Sequence, residues 1–269
     1  MPPPFASPCW ARYLTNDALH DDIPARDLTL QQATEVIAYL VANNLITLSP
    51  QMSFDASCAI DLHVTNGRIA LGSTTIDGVT ITRREHSAGP NSTATTITNV
   101  TPRLVVLTYR LARFLKQSWG ASEIYHKGMG QGRGPVGDPH NSGRAIDFSG
   151  AVTRVGTFFV STDWGNCQVR LNGRRLAAWP QTHPDGRPFR QTTYRLEQPG
   201  HAPSNAARFF REVYKFFADQ ASDAPNGRPR HANITNTGYI RHPDYPDHGT
   251  GRDGRAAHQD HIHAEIPAI

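Results

Sequence analysis

Histidine and aspartate residues are concentrated in two short stretches of this chain, residues 138–147 and 258–263. The first stretch reads Asp-Pro-His-Asn-Ser-Gly-Arg-Ala-Ile-Asp, and the second reads His-Gln-Asp-His-Ile-His. A three-ligand catalytic zinc site requires two or three imidazoles, a carboxylate and an open position for water. The two stretches together therefore favour a zinc-dependent hydrolase.

The spacing of these residues resembles that of the LAS-type zinc metallopeptidases. The pattern His-x-x-Gly-Arg-Ala-Ile-Asp spans residues 140–147, and His-x-His follows at 261–263. The group includes D-Ala-D-Ala carboxypeptidases, murein endopeptidases, L-Ala-D-Glu endolysins, extensin-like C-terminal domains and the hedgehog signalling domain. The resemblance covers roughly residues 102 to 267. It implies that His140, Asp147 and His263 are the zinc ligands.

Two residues compete for the role of general base in this resemblance. The carboxypeptidase pattern has an acidic residue three positions before the last ligand, which here is Asp260. The murein endopeptidase pattern is His-x-x-His-x-His, which here is His258, His261 and His263. We expect Asp260 to take the proton from the zinc-activated water, with His261 as the competing candidate. His258 would orient the base or bind substrate.

The strand before the first ligand departs from the family pattern. Related enzymes often carry an arginine there that stabilises the oxyanion of the tetrahedral intermediate, whereas residues 124–127 read Ile-Tyr-His-Lys. His126 is our candidate for that function. A second departure is Asp138, which replaces the serine commonly found two residues before the first ligand.

The composition sets limits on the class of protein. The chain has 269 residues and a formal net charge of +4, an excess that would tolerate an anionic partner such as a cell-wall polymer or nucleic acid. Its three cysteines, Cys9, Cys58 and Cys167, form no Cys-x-x-Cys pair, so a thiolate zinc site is not expected, although one disulfide is possible. We identify no Sec-type signal peptide and no apolar run long enough for a membrane span.

Apolar periodicity and capping residues predict the elements that position the candidate ligands. We expect helices over 29–44 and from Thr101 to near Gly120, and a third helix capped by Ser204. Strands are predicted at 59–64, 68–72, 79–82, 123–126, 145–152, 156–163, 167–171, 174–179 and 261–266, with a linker at 86–98 and a glycine-rich loop at 128–134. The alternation of the last strand points His261, His263 and Glu265 to one face.

These elements predict an α+β fold with a central antiparallel sheet that carries the zinc site and has flanking helices. We divide the chain into an extended, proline-rich arm (1–26), a small helix-plus-β unit with a linker (27–98) and a zinc peptidase-like catalytic domain (99–269). The predicted function is hydrolysis of amide bonds in peptidoglycan stem peptides or cross-links.

The missing signal peptide suggests that the protein is made in the cytoplasm and acts on the cell wall after release or injection, as an endolysin or delivered toxin effector would. The N-terminal unit would then serve a delivery apparatus. One alternative is a non-catalytic zinc module that binds cell wall or a protein partner. Another is a metal-dependent nuclease, but the spacing matches no nuclease motif, so we expect no nucleic-acid partner.

Overall fold

The computed structural model describes residues 13, 15–54, 60–62, 67–84, 92–130, 138–163, 170–171, 174–175, 205–221, 240–241 and 260–268. The helices in these residues are α1 (Leu30–Ala42), α2 (Pro102–Trp119), α3 (Val160–Asp163) and α4 (Asn205–Gln220). The strands are β1 (Ile69–Leu71), β2 (Thr75–Ile76), β3 (Val79–Arg83), β4 (Ile97–Val100), β5 (Glu123–Met129), β6 (Ala145–Thr153), β7 (Gly156–Phe159), β8 (Arg170–Leu171), β9 (Arg174–Arg175), β10 (Ile240–Arg241) and β11 (Ile262–Glu265). Helices and sheets are therefore mixed along the chain, in agreement with the expected α+β class.

Capping residues fix the beginnings of the two long N-terminal helices. The side chain of Thr29 accepts a hydrogen bond from the backbone N–H of Gln32, and the Gln32 side chain accepts one from the backbone N–H of Thr29. This reciprocal pair starts α1 where the sequence predicts it. Thr101 caps α2, Pro102 occupies its first turn, and Gly120 ends it in the left-handed conformation with φ +61°.

The central sheet has seven strands and is mixed. Its order is β10-β11-β6-β5-β3-β2, and β7 pairs with the second half of β6. Strands β3 and β5 are parallel, whereas every other pair in this sheet is antiparallel. The prediction of an antiparallel sheet is thus wrong for β3 and β5, whose connection runs through α2 as a crossover of the kind that parallel strands require.

The N-terminal half of the chain shares this sheet and its core. The hairpin of β2 and β3 turns at Asp77 and Gly78, which both have the positive φ that a type I′ turn requires. One continuous apolar cluster extends from Leu19 to Ile266 and includes the buried face of α1. The predicted 27–98 unit therefore packs as part of the same body as the segment that carries the candidate ligands.

Helix α4 covers one face of the sheet with aromatic rings. Phe209 and Phe217 are fully buried, and Phe209 lies 4.9 Å from Phe158 of β7 between ring centroids. Phe217 lies 6.0 Å from Phe148 of β6. Each buried phenylalanine stabilises the fold by roughly 1.5–3 kcal/mol, so this aromatic layer fixes the position of β6 through the face that carries Phe148.

Several segments differ from the sequence-based predictions. Of the strand predicted at 59–64, the described residues 60–62 form only an isolated bridge to Phe54, and residues 128–129 of the predicted glycine-rich loop belong to β5. Residues 16–19 form a 3₁₀ helix in the segment predicted as an extended arm, because Leu19 and Ala25 are buried against the core. Residues 97 and 98, the end of the predicted linker, belong to β4, because Ile97 and Val100 of this strand face the interior. The predicted strand over 156–163 ends at Phe159, whose backbone N–H donates to Asp163 Oδ2 and starts the short helix α3.

Some predictions lie outside the described residues. They concern the three cysteines, Ser204, His258 and most of the glycine-rich loop at 128–134. Among the helices that the structure does describe, none is long and apolar enough to cross a membrane.

Candidate metal centre

Strand pairing brings two of the predicted ligands face to face. In the antiparallel register of β11 and β6, His263 lies directly opposite Asp147. Directly opposed residues project from the same side of a sheet, so both side chains meet on one face. His263 Nδ1 lies 2.8 Å from Asp147 Oδ1.

The third predicted ligand lies in a tight loop before β6. Asp138 Oδ1 accepts a hydrogen bond of 2.7 Å from the backbone N–H of His140, and the backbone carbonyl of Asp138 accepts from Ser142. Such an aspartate-initiated turn fixes the backbone at the ligand. Asp138 thus has a local structural function at the position where the zinc metallopeptidases that the ligand pattern resembles commonly carry serine.

The end of β4 and the capping residue before α2 hold the far end of this ligand loop. The carbonyl of Gly143 accepts hydrogen bonds from the backbone N–H of Thr101 at 2.8 Å and from its hydroxyl at 3.1 Å. Gly143 has φ +64°, and a Cβ there would lie 2.3 Å from the carbonyl oxygen of Asn99. The Asn99 side chain donates a hydrogen bond of 2.6 Å to the carbonyl of Gly130, the residue after β5. We call these contacts of Asn99 and Thr101 with Gly130 and Gly143 the brace of the ligand loop.

Three donor atoms converge on one point. His140 Nε2 lies 3.3 Å from His263 Nδ1 and 3.2 Å from Asp147 Oδ1. The distance between His263 Nδ1 and Asp147 Oδ1 is 2.8 Å. Metal–ligand bonds of about 2.0–2.1 Å hold neighbouring donors about 3.3–3.4 Å apart in a tetrahedron and about 2.8–3.0 Å apart in an octahedron. The observed distances span that range. His140, Asp147 and His263 therefore form a group that could hold a metal ion.

Without a metal, Asp147 and His263 hold each other in their charged forms, so a bound metal ion would take the place of the proton on His263. Burial alone would raise the pKa of Asp147, but the charge of His261 and hydrogen bonds with His140 and His263 hold it well below its ordinary value. Burial alone would lower the pKa of His263, but its contacts with Asp147 and Glu265 raise it to about 9. The metal-free site thus keeps a positive charge beside the Asp147 carboxylate.

The two candidates for the general base are linked to each other. Asp260 Oδ1 lies 2.7 Å from His261 Nδ1, and its other oxygen, Oδ2, accepts a hydrogen bond of 2.8 Å from Lys127 Nζ. The second ring nitrogen of His261, Nε2, lies 3.4 Å from Asp147 Oδ1. Nε2 of His261 therefore faces the donor group, and Asp260 lies on the opposite side of the His261 ring, at Nδ1.

The environment of Asp260 favours its ionised form. Burial alone would raise its pKa, but hydrogen bonds from His261 and Lys127 and the charges of both residues lower the pKa to about 2. A carboxylate of that pKa accepts hydrogen bonds well but is a weak base at neutral pH.

His126, the candidate for oxyanion stabilisation, is buried near the site. Burial and the nearby charge of Arg83 lower its pKa to about 4, so its ring is neutral at neutral pH. Its Nδ1 has no hydrogen-bond partner among the described residues. A neutral imidazole can donate one hydrogen bond to a developing oxyanion, but it does not supply the positive charge of an arginine.

Sequence reasoning missed several residues that support the site. Lys127 and Asn99 carry no motif signal, because each acts through a contact with a distant segment. Glu265 could have been found, because the alternation that points His261 and His263 to one face includes it. His258 lies outside the described residues.

Comparisons with known proteins do not assign the chain to a family. Neither models of protein families, nor curated proteins, nor solved structures gave a match.

Proposed function

We propose that this chain is a zinc-dependent peptidase that hydrolyses amide bonds in peptidoglycan stem peptides or cross-links. The observation that carries the proposal is the arrangement of four side chains. Three donor atoms converge from His140, Asp147 and His263, and the Nε2 atom of His261 lies beside them. Support for peptidoglycan as the substrate comes from the resemblance of the ligand pattern to cell-wall peptidases.

The donor set suits zinc. Two imidazoles and one carboxylate are a common ligand set for catalytic zinc, which keeps a further position for water or substrate. His261 is not a member of the group whose donor atoms lie within 4.8 Å of one another. Zinc held by these three residues would supply Lewis-acid chemistry, which would polarise the scissile carbonyl and make water more acidic.

His261 is the better candidate for the general base. Asp260 Oδ1 accepts the hydrogen of Nδ1–H, which leaves the lone pair of the neutral ring on Nε2, the atom nearer the ligands. Nε2 can then take a proton from the attacking water and return it to the leaving amine. Asp260 holds the ring in that tautomer, while Lys127 holds Asp260. We therefore propose His261, and not Asp260 as the sequence suggested, as the general base.

The proposal is tested by digestion of purified sacculi and mass spectrometry of the released peptides. Zinc content is measured on the same samples by elemental mass spectrometry. We expect the wild-type protein to release peptides with new amino termini. His261→Gln should lower the rate by about 10²–10⁴-fold with zinc retained, and Asp260→Asn should lower it by roughly 10–100-fold.

His20→Gln is a matched control, because His20 Nε2 also pairs with a carboxylate, Glu35, at 2.9 Å but lies outside the proposed site. It should leave the rate unchanged, and His140→Ala should lose the metal. Zinc-loaded protein that binds sacculi and releases nothing would overturn the peptidase and favour the non-catalytic module. Protein that retains iron and no zinc would overturn the assignment of the metal.

A further inference from the structure

A buried carboxylate lies behind one of the proposed ligands. Glu265 is 2% exposed and follows His263 by two positions on β11, so both side chains project from the same face. Glu265 Oε2 lies 3.3 Å from His263 Nε2. Burial of a carboxylate is unfavourable unless the group is paired, and the His263 ring supplies such a pairing partner for Glu265.

The two nitrogens of His263 face different groups. Nδ1 lies 2.8 Å from Asp147 Oδ1 and 3.3 Å from His140 Nε2, whereas Nε2 faces Glu265. A neutral imidazole carries one hydrogen and one lone pair, and a metal ligand must present the lone pair. When Nε2–H donates to Glu265, the lone pair lies on Nδ1, which is the atom in the donor group.

We infer that Glu265 is a positioning residue that selects the tautomer of His263 in which Nδ1 binds the metal. The inference rests on the metal-binding part of the proposed function. Metal-bound histidines commonly donate their other N–H to a carboxylate, and loss of such a partner costs about 10–100-fold in metal affinity. Nothing in the sequence motif requires an acidic residue at position 265.

His140 provides an internal contrast. Its Nδ1 is buried and has no hydrogen-bond partner in the part of the chain that the structure describes. The two imidazoles of the donor group are therefore supported differently: His140 is oriented by its loop and His263 by a carboxylate. Glu265 and Asp260 also favour opposite tautomers in the two histidines of the His-x-His segment, with the lone pair on Nδ1 in His263 and on Nε2 in His261.

The test compares zinc affinity in Glu265→Met and Glu265→Gln with the wild-type protein, by competition with a chromophoric chelator. Methionine has a similar length but no acceptor, whereas glutamine keeps a carbonyl acceptor without the charge. We expect affinity to fall by about 10–100-fold for methionine and by less than about tenfold for glutamine. Nitrogen-15 NMR of the zinc-loaded wild-type protein should show His263 bound through Nδ1 with a hydrogen on Nε2.

Glu212→Met is a matched control, because Glu212 Oε2 accepts a hydrogen bond of 2.8 Å from the ring N–H of Trp119 outside the donor group. It should leave zinc affinity unchanged. Zinc binding through Nε2 of His263 in the wild-type protein would overturn the inference even if the Glu265 variants did not fold. Affinity within about twofold of wild type in Glu265→Met would overturn it as well. Wild-type protein that binds zinc no better than His263→Ala would instead refute the metal-binding part of the proposed function.

Discussion

Substitution of Gly143 tests whether the N-terminal half of the chain positions the ligand loop. Gly143 has φ +64°, and an added Cβ would lie 2.3 Å from the backbone oxygen of Asn99. A non-glycine residue in the left-handed region costs about 1–2 kcal/mol. An overlap with fixed backbone adds roughly 1–3 kcal/mol. We therefore expect Gly143→Ala to lower the free energy of unfolding by about 2–5 kcal/mol.

Gly67 separates the two contributions. It has φ +78°, but a Cβ there meets nothing within 4 Å. Gly67→Ala should therefore cost only the conformational part, about 1–2 kcal/mol. Urea unfolding of both variants at one pH measures the difference directly. Zinc affinity should fall in Gly143→Ala by at least about tenfold, or 1.4 kcal/mol, and stay unchanged in Gly67→Ala. Equal losses of stability in the two variants, or unchanged zinc affinity in Gly143→Ala, would refute the proposed brace.

Three further perturbations test the site itself. Gly128→Ala places a Cβ 3.2 Å from Asp147 Oδ2, so metal affinity in the chelator assay should fall by up to about tenfold, and an unchanged value would contradict this packing. The pKa of His263, raised to about 9 from 6.5, means that its protonated form stabilises the metal-free protein fully below pH 6.5. That stability is lost as the pH rises through 9, so the free energy of unfolding should fall over this window in urea titrations and should not do so in His263→Gln. Lys127→Met removes one of the groups that hold the pKa of Asp260 near 2, so carbon-13 NMR should show a higher pKa and sacculus digestion should slow by less than about tenfold with zinc affinity unchanged.

The helices follow from the sequence because their signals are local. Thr29 with Gln32, and Thr101 with Pro102 and Gly120, specify where α1 and α2 begin or end through contacts within a few residues. The parallel pairing of β3 with β5 has no local signal, because it depends on how α2 crosses the sheet. The strand pattern alone therefore led to the expectation of an antiparallel sheet.

The residues of the candidate site also differ in whether the sequence alone could identify them. Residue type and spacing single out His140, Asp147 and His263, which the structure brings together. Position in the sequence could not separate Asp260 from His261 as the base, because both lie on the same short segment. Asp260 is held by Lys127 Nζ of β5, and the His261 ring lies between Asp260 and Asp147 of β6. Our proposal of His261 as the base therefore rests on contacts between segments far apart in the chain, which become visible only in three dimensions.

The long separation between the proposed ligands has a kinetic consequence. His140 and His263 are 123 positions apart, and β11 must dock beside β6 before their donor atoms meet. Closure of so long a loop is entropically unfavourable, so the unfolded chain gathers the three donors poorly. A metal that binds the native state and not the partly folded chain stabilises the protein by slowing unfolding and leaves the folding rate nearly unchanged. Removal of the metal would then shorten the lifetime of each folded molecule without changing how quickly a new one forms.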